Sequence, residues 1–333
     1  MISDDPHSAP TLRVSCSKVV DTQGAPPFAK LRSPRNRTLR RCATEAAHFA
    51  CPDWQTDIPF LEAQLHNRIL CADTFAVLPR LPAQFVDLLI LDPPYNLTKN
   101  YNGNVFRERT GAEYSEWFAS LLALLKPTLK PTASIYVCSD WQTSLLIAPL
   151  LKQHFQLRNR VTWAREKGRG ASANWKSVAE DIWFCTHGSR FHFDVNAVKL
   201  RKKVRAPYRA GGCPKDWSED GTGKFRLTHP SNVWTDLTVP FWSMAENTDH
   251  PTQKPEKLLA KLLLASSRAG DMVFDPFLGS GTTAVVAKKL GRSFLGIELD
   301  PEYCSWGEQR VSLATAGAPI QGYSGGVFWE RNP

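Results

Sequence analysis

The sequence predicts an α/β fold, a mostly parallel twisted sheet with helices on both faces, and three observations support it. The run Phe85-Val86-Asp87-Leu88-Leu89-Ile90-Leu91 is almost continuously apolar and stops at Asp92-Pro93-Pro94. A strand covered on both faces reads this way, and two prolines end its pairing. Near the C-terminus, Met272-Val273-Phe274 runs through a glycine loop into a helix from Thr282 to Leu290, then a strand from Ser293 to Ile297 ended by Glu298. That order is a βαβ unit. Finally, 333 residues at 42% hydrophobic and 22% charged are enough to bury a core of this kind.

The elements follow in order. Residues 1–55 form a basic N-terminal arm, rich in Pro, Ser and Thr, with Lys30, Arg32, Arg35, Arg37, Arg40 and Arg41 crowded together. Such a run grips phosphates or is simply solvated. Residues 56–187 hold the first half of the α/β domain. Tyr114, Trp117, Phe118, Leu121, Leu122 and Leu125 keep helical spacing, and the helix should stop before Pro127. Strands are expected at Ala133 to Cys138, Arg160 to Ala164 and Asp181 to Thr186. Residues 188–245 change texture: Lys199, Arg201, Lys202, Lys203, Arg205 and Arg209 cluster, and Gly211-Gly212 and Gly221-x-Gly223 break long elements. This reads as an irregular basic insert. Residues 246–320 resume the α/β pattern with a helix through Leu258, Leu259, Leu262 and Leu263, and 321–333 form a tail.

Charge and cysteine usage narrow the function. Lys and Arg number 41 against 32 acids, a net charge of +9, which favours a polyanionic partner, nucleic acid first. The eight cysteines are scattered without a C-x-x-C pair, so reduced thiols in a cytoplasmic protein are expected and a zinc site is not. No run of about 18 apolar residues occurs, and no apolar stretch follows Asp4 and Asp5. Neither a membrane span nor a secretory signal is expected.

Two constellations have chemical content. Phe274-Asp275-Pro276-Phe277-Leu278-Gly279-Ser280-Gly281-Thr282-Thr283 joins a strand to a helix through Gly-x-Gly, which brings backbone N–H groups close to a ligand or makes a structural tight turn. Glu298, at the end of the next strand, can accept both hydroxyls of a ribose. The second constellation, Asp92-Pro93-Pro94-Tyr95-Asn96, ends a buried strand at the edge where open sheets bind ligands. Asp92 and the Pro93 carbonyl can both accept from one planar amine, freeing the nitrogen lone pair, while Tyr95 offers a face for stacking.

Together these residues resemble the amino-group DNA methyltransferases that use S-adenosylmethionine. Asp92-Pro93-Pro94-Tyr95 is similar to their catalytic motif and Phe274 to Gly281 to their cofactor loop. The order, with the basic insert between, resembles the β group of that family, as does His250-Pro251-Thr252-Gln253-Lys254-Pro255. The resemblance spans about residues 66 to 310. It implies a Rossmann-like S-adenosylmethionine-dependent methyltransferase fold with residues 188–245 as target-recognition region. It implies catalysis by Asp92, Pro93, Pro94 and Tyr95. Cofactor contacts fall to Phe274, Asp275, Pro276, Phe277, Gly279, Ser280, Gly281 and Thr282, with Glu298 on the ribose and Thr252 and Lys254 near the carboxylate. Asp73 matches the adenine-contacting position, or is the N-cap of a helix beginning at Thr74. Asn174, Glu180 and Trp183 match the pocket for the target base. The implied partner is double-stranded DNA, and the implied chemistry is methylation of a flipped base. A homodimer and a cognate restriction endonuclease are further partners the resemblance allows. Within the family an Asp in the first motif position favours adenine N6; cytosine N4 is the alternative. Cytosine C5 chemistry needs a Pro-Cys dipeptide that this chain lacks. A nicotinamide oxidoreductase would leave Asp92 to Tyr95 unexplained, and a non-enzymatic nucleic-acid module would leave both constellations so.

Overall fold

The computed structural model describes residues 34–39, 58–165, 172–205 and 207–330. Most of the 1–55 arm lies outside them. The chain divides into two compact units, Met1–Asn36 and Arg37–Pro333, and the second holds everything below.

Eight strands make the main sheet: β1 (Arg68–Cys71), β2 (Val86–Leu91), β3 (Leu129–Ser139), β4 (Gln156–Ala164), β5 (Ala179–Thr186), β6 (Val233–Trp234), β7 (Met272–Asp275) and β8 (Ser293–Glu298). Their order is β1-β8-β7-β2-β3-β5-β4-β6. All neighbours pair in parallel except β5, which runs antiparallel to β3 and β4. The helices are α1 (Thr74–Val77), α2 (Gly111–Leu125), α3 (Trp141–His154), α4 (Glu256–Ser266), α5 (Thr282–Lys289) and α6 (Pro301–Leu313).

The continuous apolar run of β2 is explained by its neighbours. Leu88 and Ile90 enter a core with Val273 and the apolar residues of α4 and α5, while Leu89 and Leu91 enter a second core with α2 and α3. Period-2 alternation therefore finds an apolar layer on either side, and each such side chain contributes about 1.5–3 kcal/mol as an upper bound. Helix α2 opens with a capping box: the Glu113 N–H donates to Thr110 Oγ1 (3.3 Å) and the Thr110 N–H to Glu113 Oε2 (2.9 Å). It ends at Leu125, ahead of Pro127.

Three elements differ from the sequence expectation. Strand β3 starts at Leu129 rather than Ala133, across Pro131, and the β2–β3 register shifts between Val86 and Leu88; a bulge absorbs the proline. Strand β4 reaches back to Gln156, its polar first half disguising it as loop. The 188–245 insert is more regular than expected. Leu200–Lys203, Ser218–Asp220 and Gly223–Thr228 join Tyr323–Ser324 and Val327–Trp329 in a five-stranded sheet. The basic cluster is thus partly a strand, and residues read as a tail close the sheet edge, Phe328 and Trp329 pairing in parallel with Leu200 and Arg201. The Arg201 guanidinium lies 4.0 Å from the Phe225 ring centroid and 4.3 Å from that of Trp329, a cation–π sandwich that fixes the two strands. Among the described residues no helix is long and apolar enough to cross a membrane.

Candidate active site

The carboxyl ends of β2, β7 and β8 open into one cavity of about 680 Å³, a size that engulfs a small-molecule ligand. The Asp92–Tyr95 turn forms one wall. It is anchored from outside: the Tyr114 hydroxyl donates to the Pro94 carbonyl (2.9 Å), the Asn96 N–H to Thr143 Oγ1 (3.0 Å), and the Asn96 side chain brackets the backbone of Arg109. Rigid prolines and these bonds fix the direction of Asp92 and Tyr95. The Tyr95 hydroxyl lies 3.1 Å from Asp92 Oδ1 and 3.2 Å from Glu180 Oε2. Burial, then the carboxylates of Asp92 and Glu180, raise its pKa well above the ordinary tyrosine value.

Lys254 enters from the opposite side. Its Nζ donates to Asp92 Oδ1 (2.8 Å) and Oδ2 (2.7 Å) and lies 3.2 Å from the Tyr95 hydroxyl and 3.4 Å from Glu180. The resemblance places this ammonium near a cofactor carboxylate; here it rests on Asp92, a nearby anion within reach of its stem. Burial alone would push the Lys254 pKa down, but Asp92 and then Glu180 hold it above the usual lysine value. The turn that delivers it is interlocked. The Thr248 N–H and hydroxyl donate to Gln253 Oε1 (2.9 and 2.7 Å), Gln253 Nε2 donates to the Glu246 carbonyl (2.6 Å), and the Thr252 N–H to His250 Nδ1 (3.3 Å). His250 is therefore neutral there; burial first, then Lys254, pushes its pKa to about 3.

The glycine loop forms the facing wall. Asp275 is buried, accepting the Phe277 N–H (3.0 Å) and the Thr283 hydroxyl (2.6 Å), and burial pushes its pKa to about 7. Glu298 accepts the N–H of Gly279 (2.8 Å) and of Asp300 (2.9 Å), leaving further lone pairs on each oxygen; burial raises its pKa. Thr252, Pro276, Phe277, Ser280 and Thr282 also line the cavity. Asp73 borders it while its carboxylate accepts the Phe75 N–H (3.0 Å), capping α1. Two predicted residues face elsewhere. Phe274 is fully buried in the core against Phe85, because strand alternation turns it away from the edge. Gly281 sits behind the loop at φ +83°, where a Cβ would come within 2.6 Å of the Gly307 Cα in α6. Gly281→Ala is expected to lower unfolding free energy by about 3 kcal/mol through overpacking and left-handed strain. Urea unfolding would measure it, and a change below about 1 kcal/mol would mean that α6 yields instead.

The model of the N6/N4 DNA methylase family matches residues 86–309. The chain belongs to the N6/N4 DNA methylase family. It is 32% identical over 254 residues to the DNA adenine methyltransferase YhdJ of Escherichia coli (strain K12), covering 74% of this chain and 83% of that one. It is likewise 32% identical over 250 residues to the type II methyltransferase M.HpaI of Haemophilus parainfluenzae, covering 74% of each. Among solved structures, the PvuII DNA methyltransferase (cytosine-N4-specific) shares the fold at a TM-score of 0.55 and 19% identity, covering 73% of this chain and 85% of that one.

In this methylase, β5 separates residues that sequence reasoning grouped. Glu180 faces the cavity with Ile182 and Phe184 on its side of the strand, whereas Trp183 points to the opposite face and donates to Ser144 Oγ (3.0 Å). The period of two forbids both from lining one pocket. Asn174 is exposed in the preceding loop and accepts the Trp175 N–H. Sequence reasoning missed Arg165, paired with Glu180 Oε1 at 2.6 Å, and Arg310. The buried Arg310 guanidinium donates to the Ser280 carbonyl (2.7 Å) and Thr282 hydroxyl (3.0 Å), bracing the methylase's glycine loop from α6. Neither carries a motif; mid-helix arginine reads as surface until the neighbouring helix covers it.

Proposed function

We propose that this methylase transfers the methyl group of S-adenosylmethionine to the N6 amine of an adenine flipped out of double-stranded DNA. The observation that supports it is the meeting of Asp92–Tyr95, the glycine loop and Glu298 in one cavity. The residues fit the cofactor: Glu298 has acceptor capacity for ribose hydroxyls at a strand end, and Phe277, Gly279 and Ser280 of the loop line the cavity beside it. S-adenosylmethionine, when bound, supplies an electrophilic sulfonium methyl. The protein then has to position rather than activate. A paired base cannot reach so recessed an acceptor, so the base leaves the duplex. Tyr95 stacks it, Asp92 and the Pro93 carbonyl accept the amine hydrogens, and the nitrogen lone pair turns toward the methyl. No covalent enzyme intermediate is formed.

Adenine is favoured by Asp92 in the first motif position and by the activity named for the E. coli relative. The deciding experiment incubates the purified protein with S-adenosylmethionine and unmethylated genomic DNA, then separates the nucleosides by mass-resolved chromatography. N6-methyldeoxyadenosine is the expected product. N4-methyldeoxycytidine would keep the mechanism and change the base, and no methylated nucleoside would overturn the proposal.

A further inference from the structure

Lys254 occupies the two groups that the reaction needs. Its ammonium is astride both oxygens of Asp92 at 2.8 and 2.7 Å, 3.2 Å from the Tyr95 hydroxyl and 5.5 Å from the centroid of that ring. A target amine must put its hydrogens on the same carboxylate and its ring on the same tyrosine. Both Asp92 oxygens already accept from the ammonium, and the Tyr95 hydroxyl lies 3.1 Å from Oδ1, so an incoming amine meets a carboxylate that is already paired. Charge adds to the conflict, because the methyl carbon of a sulfonium must come within about 3–3.5 Å of the amine nitrogen. An ammonium at Asp92 would then face a second cation at close range in a partly buried site. Another anion has to draw Lys254 off. Glu180 belongs to the latched arrangement already, 3.4 Å from Lys254 and paired with Arg165 at 2.6 Å. The methionine carboxylate is the anion that loading itself brings, a few bonds from the sulfonium. Lys254 can reach it: the 248–255 turn is pinned by its own hydrogen bonds, and Thr252 and Lys254 line the same cavity as the glycine loop, the lysine on a four-carbon stem.

We propose that Lys254 is a latch on Asp92, released to the cofactor's carboxylate when the cofactor binds, so that the amine seat opens only in the loaded enzyme. This rests on the reading of the cavity as a methyltransferase site for a flipped base. Lys254 is accordingly a positioning residue that couples the two binding events.

The test reads base flipping without turnover. A duplex carrying the site mapped by methylation of host DNA, with 2-aminopurine next to the target base, brightens when the target unstacks. It is measured without ligand, with methylthioadenosine, which lacks the amino-acid carboxylate, and with S-adenosylhomocysteine, which has it. For the wild type, S-adenosylhomocysteine should raise the flipped population about tenfold over the other two, the bias expected of one charge-assisted contact. In Lys254→Met the three conditions should give equal brightening. Equal flipping with methylthioadenosine and S-adenosylhomocysteine in the wild type would overturn the latch, as would a carboxylate dependence that persists in Lys254→Met. The wild-type comparison decides even where the variant folds poorly. If no methylated site can be mapped, the functional reading fails before the latch is tested.

Discussion

Asp92→Ala should lower kcat by about 10³-fold or more without weakening the affinity for S-adenosylhomocysteine. The expectation follows from where Asp92 sits. It ends β2 inside a turn held by Tyr114 and Thr143, so the alanine chain keeps the backbone and the Pro93 carbonyl in place. What disappears is one of two preorganised acceptors for the amine, and with it the alignment of the nitrogen lone pair. The glycine loop and Glu298, on β7 and β8, do not depend on Asp92. Lys254 keeps Glu180 as a counter-charge at 3.4 Å, which protects the fold. Single-turnover methylation at saturating cofactor separates the effects. A rate within tenfold of wild type would remove Asp92 from the chemistry, and a collapse of cofactor affinity would assign it to the other half of the cavity.

The sequence made the parts of this site legible unequally, for physical reasons. Strand β2 could be read because both of its faces are covered, which forces an unbroken apolar run, and because prolines end it at the ligand edge. The glycine loop could be read because a positive φ and close backbone approach admit few other residues; Gly279 and Gly281 sit at φ +56° and +83°. Side-chain destinations were less accessible. Lys254 was recognised from its motif, but a four-carbon stem reaches several anions and local sequence does not say which. Glu180 and Trp183 match one family pocket in sequence, yet their odd spacing on a strand separates their faces. The second sheet was hidden because its strands are short and charged, and because Val327–Trp329 meets Leu200–Lys203 across more than a hundred residues of chain.

That distant pairing is secured by a buried charge cluster, and Asp236→Ala should be strongly destabilising. Asp236 follows β6 and accepts from two lysines of α4: Lys261 Nζ at 2.7 Å to each oxygen and Lys257 Nζ at 2.9 Å. Lys257 also donates to the carbonyls of Asp236 and Trp329, and Lys261 lies 4.8 Å from the Trp234 ring centroid. Lys261 is 1% exposed and Asp236 9%, so removing the carboxylate strands two ammoniums in the core, at a cost of about 3–5 kcal/mol. For a chain of this size that lowers Tm by roughly 4–7 °C. Burial, only partly offset by Asp236, holds Lys261 down at about 8. The unfolded chain titrates near 10.4 and so binds more protons between these values, and wild-type stability contributed by Lys261 rises with pH across that window. Without Asp236 the folded pKa drops further, so the same gain begins at lower pH. The deficit of Asp236→Ala should therefore be largest near pH 6, shrink as pH approaches about 8, and stay level above it. Adding Lys261→Met to Asp236→Ala should recover part of the loss, because one uncompensated ammonium goes with it. A deficit that is independent of pH, or a double variant less stable than Asp236→Ala, would mean that packing rather than charge holds this corner.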